Sequence, residues 1–314
     1  MLILRELDKK FFDKQSVVTV GTFDGVHLGH REIIGDLNNI KNEKKLRSVI
    51  VTFDPHPQIV LKNKHPREIK ILTTTEEKLK LFEMFGIDAV YIINFTLEFS
   101  RTSAENFYKD YLIDKIGLTD IVLGFDHNFG KNREGNYQTL SVFSGKYKFN
   151  IHRVDEFKVD GEHINSTIIR NLLYEGDIEK ASWLLGDYYN LEGKIVYGDR
   201  RGRLIGFPTA NIEPISQFKL IPKFGVYLVS VVIKNKKYFG MMNIGNRPTV
   251  STGDKLFLEV NIFDFDDVIY DEIIKVKFIK YLRDEKKFDS IKDLTVQIKK
   301  DKDECFKKIN NLIN

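Results

Sequence analysis

The sequence contains a single cysteine, Cys305, among 314 residues. One thiol can neither close an intrachain disulfide nor build a multi-thiolate metal site. Long apolar runs are also missing. None approaches the ~18 consecutive residues that a membrane span needs, and the opening MLILRELDKKFF turns charged too soon for a signal peptide. These absences predict a cytoplasmic protein without a membrane partner. All seven histidines lie at or before His163, so chemistry in the second half must proceed without a histidine base. No GxxxxGKS/T loop and no HRD or DFG set occurs, which excludes the common P-loop and protein-kinase designs. An excess of one sign of charge is lacking as well. The 49 basic and 45 acidic residues leave +4, mixed along the chain, without the basic block of a nucleic-acid binder.

What is present is an ordinary globular composition, 42% apolar and 30% charged, in a chain long enough for two domains. In the first half the β-branched runs SVVTV (16–20), SVIVTF (48–53), DAVYIIN (88–94), DIVLGF (120–125) and NIHRV (150–154) alternate with helical patterns. Such alternation predicts a mostly parallel α/β sheet with helices on both faces. The amphipathic segments are HLGHREIIGDLNNI, TEEKLKLFEMFG and SAENFYKDYLIDKIG, the last two stopping at Gly86 and Gly117. Asn165 to Tyr189 reads as two short helices broken near Gly176, closing the first module and linking it to the next. After Tyr189, short strands separated by turn residues (LEGKIVYG, GVYLVSVVI, KYFGMMNIG, LFLEVNIF, EIIKVKFIKYL) predict a small antiparallel barrel or sandwich, followed by a C-terminal helix. The expected domains are 1–186 and 187–314.

The segment GTFDGVHLGH (21–30) stands where the first strand passes into the first helix. Ligands of open α/β sheets bind outside the carboxyl ends of the strands, and a helix start there offers free N–H groups to phosphate. Thr22, Phe23, Asp24 and Gly25 form the expected phosphate turn. His27 and His30, three residues apart, can face one side of the first helical turn. Two imidazoles beside a phosphate cradle can donate hydrogen bonds where charge builds during attack on an α-phosphate. Two surface histidines, or a metal site lacking its remaining ligands, are the competing interpretations.

At these residues the chain resembles the HxGH nucleotidylyltransferase superfamily and, within it, the bacterial bifunctional riboflavin kinase/FAD synthetase family. TFDPHP (52–57), GFDHNFGKNREG (124–135) and INSTIIR (164–170) extend the resemblance in the same order and spacing. It implies a Rossmann-like parallel-sheet nucleotidylyltransferase domain followed by a β-barrel riboflavin kinase domain. It also implies that Ser166, Thr167 and Arg170 contact the β- and γ-phosphates. Hydroxyls at a helix start with an arginine one turn on suit such a clamp, although Ser166 could equally be a helix cap. By the same resemblance, Asp126 and Asn128 lie near flavin, and Asp126 near magnesium. His127 and Asn128 depart from the phenylalanine and arginine often found there.

In YGDRRGRLIGFPTANI (197–212), Gly198, Gly202 and Gly206 recur every four residues among three arginines, Arg203 included. Glycines let a loop close over phosphates and arginines neutralise them. With FPTAN attached, the stretch is similar to the riboflavin kinase signature, which implies that Thr209 and Asn211 help hold magnesium and ATP. Hydroxyl and amide oxygens suit that hard cation. In LFLEVNI, period two puts Leu256, Leu258, Val260 and Ile262 on one face and Glu259 and Asn261 on the other. The resemblance makes Glu259 the carboxylate that accepts the riboflavin 5′-hydroxyl proton, and Arg283 of YLRDEKKF (281–288) a flavin-pocket or loop-positioning contact. Asn261 replaces a frequent histidine and Asp271 a frequent glycine.

The implied activity is riboflavin plus ATP to FMN plus ADP, then FMN plus ATP to FAD plus pyrophosphate, with Mg2+. Small-molecule flavins and ATP are the expected partners, with no nucleic acid and no expected self-assembly. A nucleotidylyltransferase for another phosphate acceptor, and a flavin-responsive regulator with degenerate sites, are the competing functions. FPTAN with a strand glutamate speaks against the first, and the intact His27, His30, Thr209, Asn211 and Glu259 against the second.

Overall fold

A computed structural model describes residues 1–5, 15–61, 69–125, 137–159, 161–198, 202, 205–249 and 253–313. The chain divides into two compact units, Met1–Ser166 and Thr167–Asn314.

The first unit is a six-stranded parallel sheet in the order β1-β4-β3-β2-β5-β6, with β1 Leu2–Leu4, β2 Ser16–Val20, β3 Arg47–Asp54, β4 Ala89–Asn94, β5 Leu118–Leu123 and β6 Asn150–Arg153. β-Branched side chains fit a pleated surface, and the alternation along each strand fills both faces. Val18, Val20, Val49 and Val51 join Phe107, Tyr108 and Leu112 in one core. Val17, Ile50, Val90 and Ile92 join Phe23, Leu37 and Phe82 in the other. Among the described residues the helices of this unit include α1 (Leu28–Lys44), α2 (Pro57–Val60) and α3 (Thr75–Met84), which Thr74 and Glu77 start with a capping box. The predicted SAENFYKDYLIDKIG helix has α4 (Ala104–Asn106), a π-helical middle at Phe107–Ile113 and α5 (Asp114–Ile116). Its apolar spacing does not distinguish the wider turn. α6 (Tyr137–Tyr147) precedes β6, and a small hairpin of β7 (Lys158–Val159) and β8 (Glu162–His163) follows it.

The second unit opens with α7 (Ser166–Glu175, its first residue still in the first unit) and α8 (Ile178–Leu185). Then come β9 (Asn190–Val196), β10 (Ala210–Pro214), β11 (Gly225–Ile233), β12 (Lys236–Thr249), β13 (Gly253–Ile262) and β14 (Ile273–Arg283), closed into an antiparallel barrel in the order β10-β13-β12-β11-β14-β9. Closure leaves no free sheet edge. α9 (Ile291–Ile313) lays Cys305 and Ile309 over Val226, Leu228, Met241 and Phe263 on the outside of the barrel. The division between units falls ahead of α7, whereas the sequence places a boundary at 186/187. The two helices join the barrel unit through a Lys223 N–H to Leu173 carbonyl bond of 2.9 Å and a Lys280–Glu179 pair of 2.6 Å.

Candidate active sites

The turn from β2 into α1 departs from ordinary backbone geometry. Phe23 and Val26 have φ of 48° and 41°, rare for an aromatic and rarer for a β-branched residue. Such outliers persist only where the surroundings over-determine them. Here the surroundings are specific. The Asp24 carboxylate accepts from the Leu72 N–H at 2.9 and 3.0 Å and from the Thr73 N–H at 2.9 Å, and the Gly25 N–H donates to the Thr73 hydroxyl at 2.8 Å. The Ser166 hydroxyl donates to the Asp24 carbonyl at 2.9 Å. Phe23 is buried edge-on against Phe82. Of the expected phosphate turn, then, Asp24 and Phe23 spend their side chains on building the turn, and Ser166 braces it.

α1 begins at Leu28 without a side-chain cap and without an acidic residue in its first turn, so nothing on the helix compensates the positive end of its dipole. His27 and His30 stack there with ring centroids 3.6 Å apart and planes 19° from parallel. The Nδ1 atoms of both are buried, and that of His30 has no hydrogen-bond partner among the described residues. Burial, then the neighbouring His27 and Lys78 charges, hold the His30 pKa well below the ordinary 6.5. His30 is therefore a neutral imidazole at pH 7. An uncapped helix start beside two stacked imidazoles has the chemistry that suits a phosphate chain. Thr167 and Arg170 follow Ser166 on α7 in the second unit.

In the barrel, register pairs Asn211 with Glu259, Glu259 with Asn243, Asn243 with Val226, and Val226 with Arg283. Directly paired residues share a face, so one row across β10, β13, β12, β11 and β14 carries three expected site residues and one new one, Asn243. The Oδ1 of Asn243 is buried without a hydrogen-bond partner among the described residues. An orphaned acceptor of this kind invites a donor from a ligand. The FPTAN stretch is packed by the glycines before it. A Cβ on Gly198 would stand 2.0 Å from the Asn211 amide nitrogen, and one on Gly202 2.2 Å from the Phe207 carbonyl and 3.3 Å from the Thr209 hydroxyl. At Gly202 a side chain would meet backbone, and at Gly198 it would displace the Asn211 amide. Gly206 follows in the same loop with φ of 80°.

Two of the departures from the family pattern, Asn261 and Asp271, have local explanations. The Asn261 amide donates to the Pro208 carbonyl at 2.6 Å and ties β13 to FPTAN. Asp271 sits at φ 64°, a conformation that glycine adopts freely and aspartate tolerates. Arg283 is held by Asp301 on α9, with its Nε 3.0 Å from both carboxylate oxygens. Asp126, His127, Asn128 and Arg203 lie outside the described residues. Besides Asn243, sequence reasoning missed Lys78. Thr74 and Glu77 announce the start of α3, but nothing in EEKLK tells which lysine is buried.

Residues 9–168 match the FAD synthetase family and residues 185–309 the riboflavin kinase family. With the fold and sites above, this defines a two-domain transferase, a nucleotidyltransferase unit joined to a kinase barrel. The chain is 38% identical over 289 residues to the bifunctional riboflavin kinase/FMN adenylyltransferase of Listeria monocytogenes, covering 92% of this chain and 91% of the relative. It is 37% identical to that of Bacillus subtilis, covering 95% and 94%. The chain belongs to the bifunctional riboflavin kinase/FMN adenylyltransferase family. A crystal structure of a Streptococcus pneumoniae protein described as a macrolide-efflux protein shares the fold, with a TM-score of 0.87 and 31% identity over 96% of this chain and 98% of that one. That likeness carries the fold alone; no helix among the described residues here is long and apolar enough to cross a membrane.

Proposed function

We propose that the barrel phosphorylates riboflavin with ATP to FMN, releasing ADP, and that the parallel-sheet unit transfers the adenylyl group of a second ATP to FMN, giving FAD and pyrophosphate. The observation that carries this reading is the presence of both halves, each with its own chemistry, in one chain. The stacked His27–His30 pair supports the first unit, and the Asn211–Glu259 pairing beside the glycine loop supports the second.

In the barrel, Glu259 accepts the proton of the riboflavin 5′-hydroxyl as its oxygen attacks the γ-phosphorus and the bond to ADP breaks. Asn243 offers its orphaned carbonyl to a hydroxyl of the acceptor chain. Thr209 and Asn211 would hold Mg2+; their hydroxyl and amide oxygens suit it, and the cradle that a Cβ on Gly198 would fill keeps Asn211 close to the loop. When bound, the ion neutralises phosphate charge.

In the parallel-sheet unit, an FMN phosphate oxygen attacks the α-phosphorus of ATP and pyrophosphate leaves. The free N–H groups at the start of α1 take a phosphate, and His27 and His30 donate hydrogen bonds to oxygens on which charge accumulates. Positioning and fixed dipoles supply most of the rate in both steps.

Purified protein incubated with riboflavin, ATP and Mg2+ should give FMN and then FAD when the flavins are separated chromatographically. If FMN accumulates and no FAD appears, the adenylyl half of the proposal is wrong.

A further inference from the structure

The wall behind the phosphate turn contains a charge that the chemistry above does not use. Lys78, on α3, is 4% exposed. Its ammonium donates to the Thr22 carbonyl at 3.0 Å and lies 3.4 Å from the Thr52 hydroxyl, which itself reaches the Thr22 carbonyl at 3.4 Å. A buried lysine is costly and is ordinarily replaced by an apolar residue unless its charge is needed. An apolar residue would fit the amphipathic pattern of α3 equally well.

We propose that Lys78 is a positioning residue for adenylyl transfer, fixing the turn at Thr22 from its hidden side and setting the charge that the His30 imidazole faces. The inference rests on the reading of the histidine pair as the adenylyl site. The groups around the two residues agree with it. Lys78 faces the carboxylates of Asp24 in the turn, Asp54 at the end of β3 and Glu76 on α3. They offset only part of the burial that pulls its pKa down. His30 stacks on His27, just ahead of α1, and feels the Lys78 charge from α3, both of which disfavour a second positive charge, with Phe23 packed near its ring. A neutral imidazole keeps one nitrogen as a donor. Lys78 thereby separates the two jobs in the pocket: a fixed cation behind the turn, and neutral donors in front of it.

The test compares Lys78→Met with Lys78→Arg in the full chain. Nitrogen-15 imidazole resonances, assigned with His30→Gln, report the His30 titration directly. In Lys78→Met the His30 midpoint should rise by about one pH unit, the size expected when a nearby like charge is removed. FAD formation from supplied FMN should fall about 100-fold in kcat/KM for ATP, the cost of a small misplacement, while FMN formation from riboflavin stays unchanged. Lys78→Arg should restore the low midpoint. Should Lys78→Met prove unfolded, Lys78→Gln takes its place, since it also removes the charge but can still donate to the Thr22 carbonyl. A wild-type His30 midpoint at or above the ordinary 6.5 overturns the proposal. An unchanged His30 midpoint in a folded Lys78→Met protein does so as well, even with slow catalysis, since a merely structural lysine gives that result. Failure of the underlying reading looks different, because wild-type protein would then make no FAD.

Discussion

Arg283 at the end of β14 and Asp301 on α9 form a two-pronged ion pair. The Arg283 Nε reaches both carboxylate oxygens at 3.0 Å and an Nη reaches one at 2.7 Å, with the Gln297 amide donating to the other at 2.8 Å. Asp301 is 4% exposed. The arginine thus ties the C-terminal helix to the barrel row that contains Glu259, and its guanidinium is engaged before any flavin arrives. Removing the buried Asp301 strands the half-buried Arg283 guanidinium. Asp301→Ala should therefore destabilise the barrel by about 3 kcal/mol in urea unfolding. A loss under 1 kcal/mol would contradict this.

Asn243 makes the opposite prediction for stability. A buried carbonyl without a partner costs about 1–3 kcal/mol, so an apolar residue of similar size should be tolerated or stabilising. Asn243→Leu should unfold no earlier than wild type yet phosphorylate riboflavin more slowly. Lower stability with an unchanged rate would remove Asn243 from the site.

Two carboxylates tied to basic side chains, Asp88 and Asp120, contribute to acid stability in the parallel-sheet unit. Burial alone would raise Asp88, but hydrogen bonds from Lys41 and Ser48 outweigh it and leave its pKa lowered. Asp120 is lowered in the same way by Lys44, His152 and Asn150. A carboxylate whose folded pKa lies below its unfolded one stabilises the fold above the unfolded value near ~4 and loses that contribution as pH falls through the folded value. The urea midpoint should drop between pH 5 and pH 2.5, and Asp120→Asn should shrink that drop. A midpoint that rises on acidification contradicts the sign.

Cys305 faces the barrel from α9, fully buried, and burial pushes its thiol up to about 12. A thiol-directed disulfide reagent at pH 8 should leave the folded protein unmodified and react once it is unfolded in denaturant. Rapid modification of folded protein would mean that α9 opens readily.

Much of this was legible in the sequence, for physical reasons that differ by element. Runs such as SVVTV and SVIVTF coincide with β2 and β3 because fully buried parallel strands need β-branched residues on both faces. β1 carries no such signal. It is a three-residue strand at the sheet edge, paired among the described residues with β4, and no periodicity announces it. The amphipathic faces of α7 and α8 say that something covers them but not what. The sequence places the end of the first domain after them, at 186, while the division into compact units falls at Ser166/Thr167. At the sites, His27, His30, Asn211 and Glu259 stand out as residue types with an obvious use. Lys78 and Asn243 do not, since their meaning comes from strands and helices distant in sequence that seal them in. Asp24 and Phe23 lie in the right motif, but which way their side chains point is decided by the 72–73 backbone and Phe82.

The central claim is that two chemically separate sites reside in one chain, and one paired assay tests it. His30→Ala and Glu259→Ala are each given riboflavin, or FMN, with ATP and Mg2+, and the flavins are quantified. His30→Ala should make FMN at the wild-type rate and no FAD, whereas Glu259→Ala should make no FMN yet convert supplied FMN to FAD. Loss of both activities in either folded variant would contradict the account.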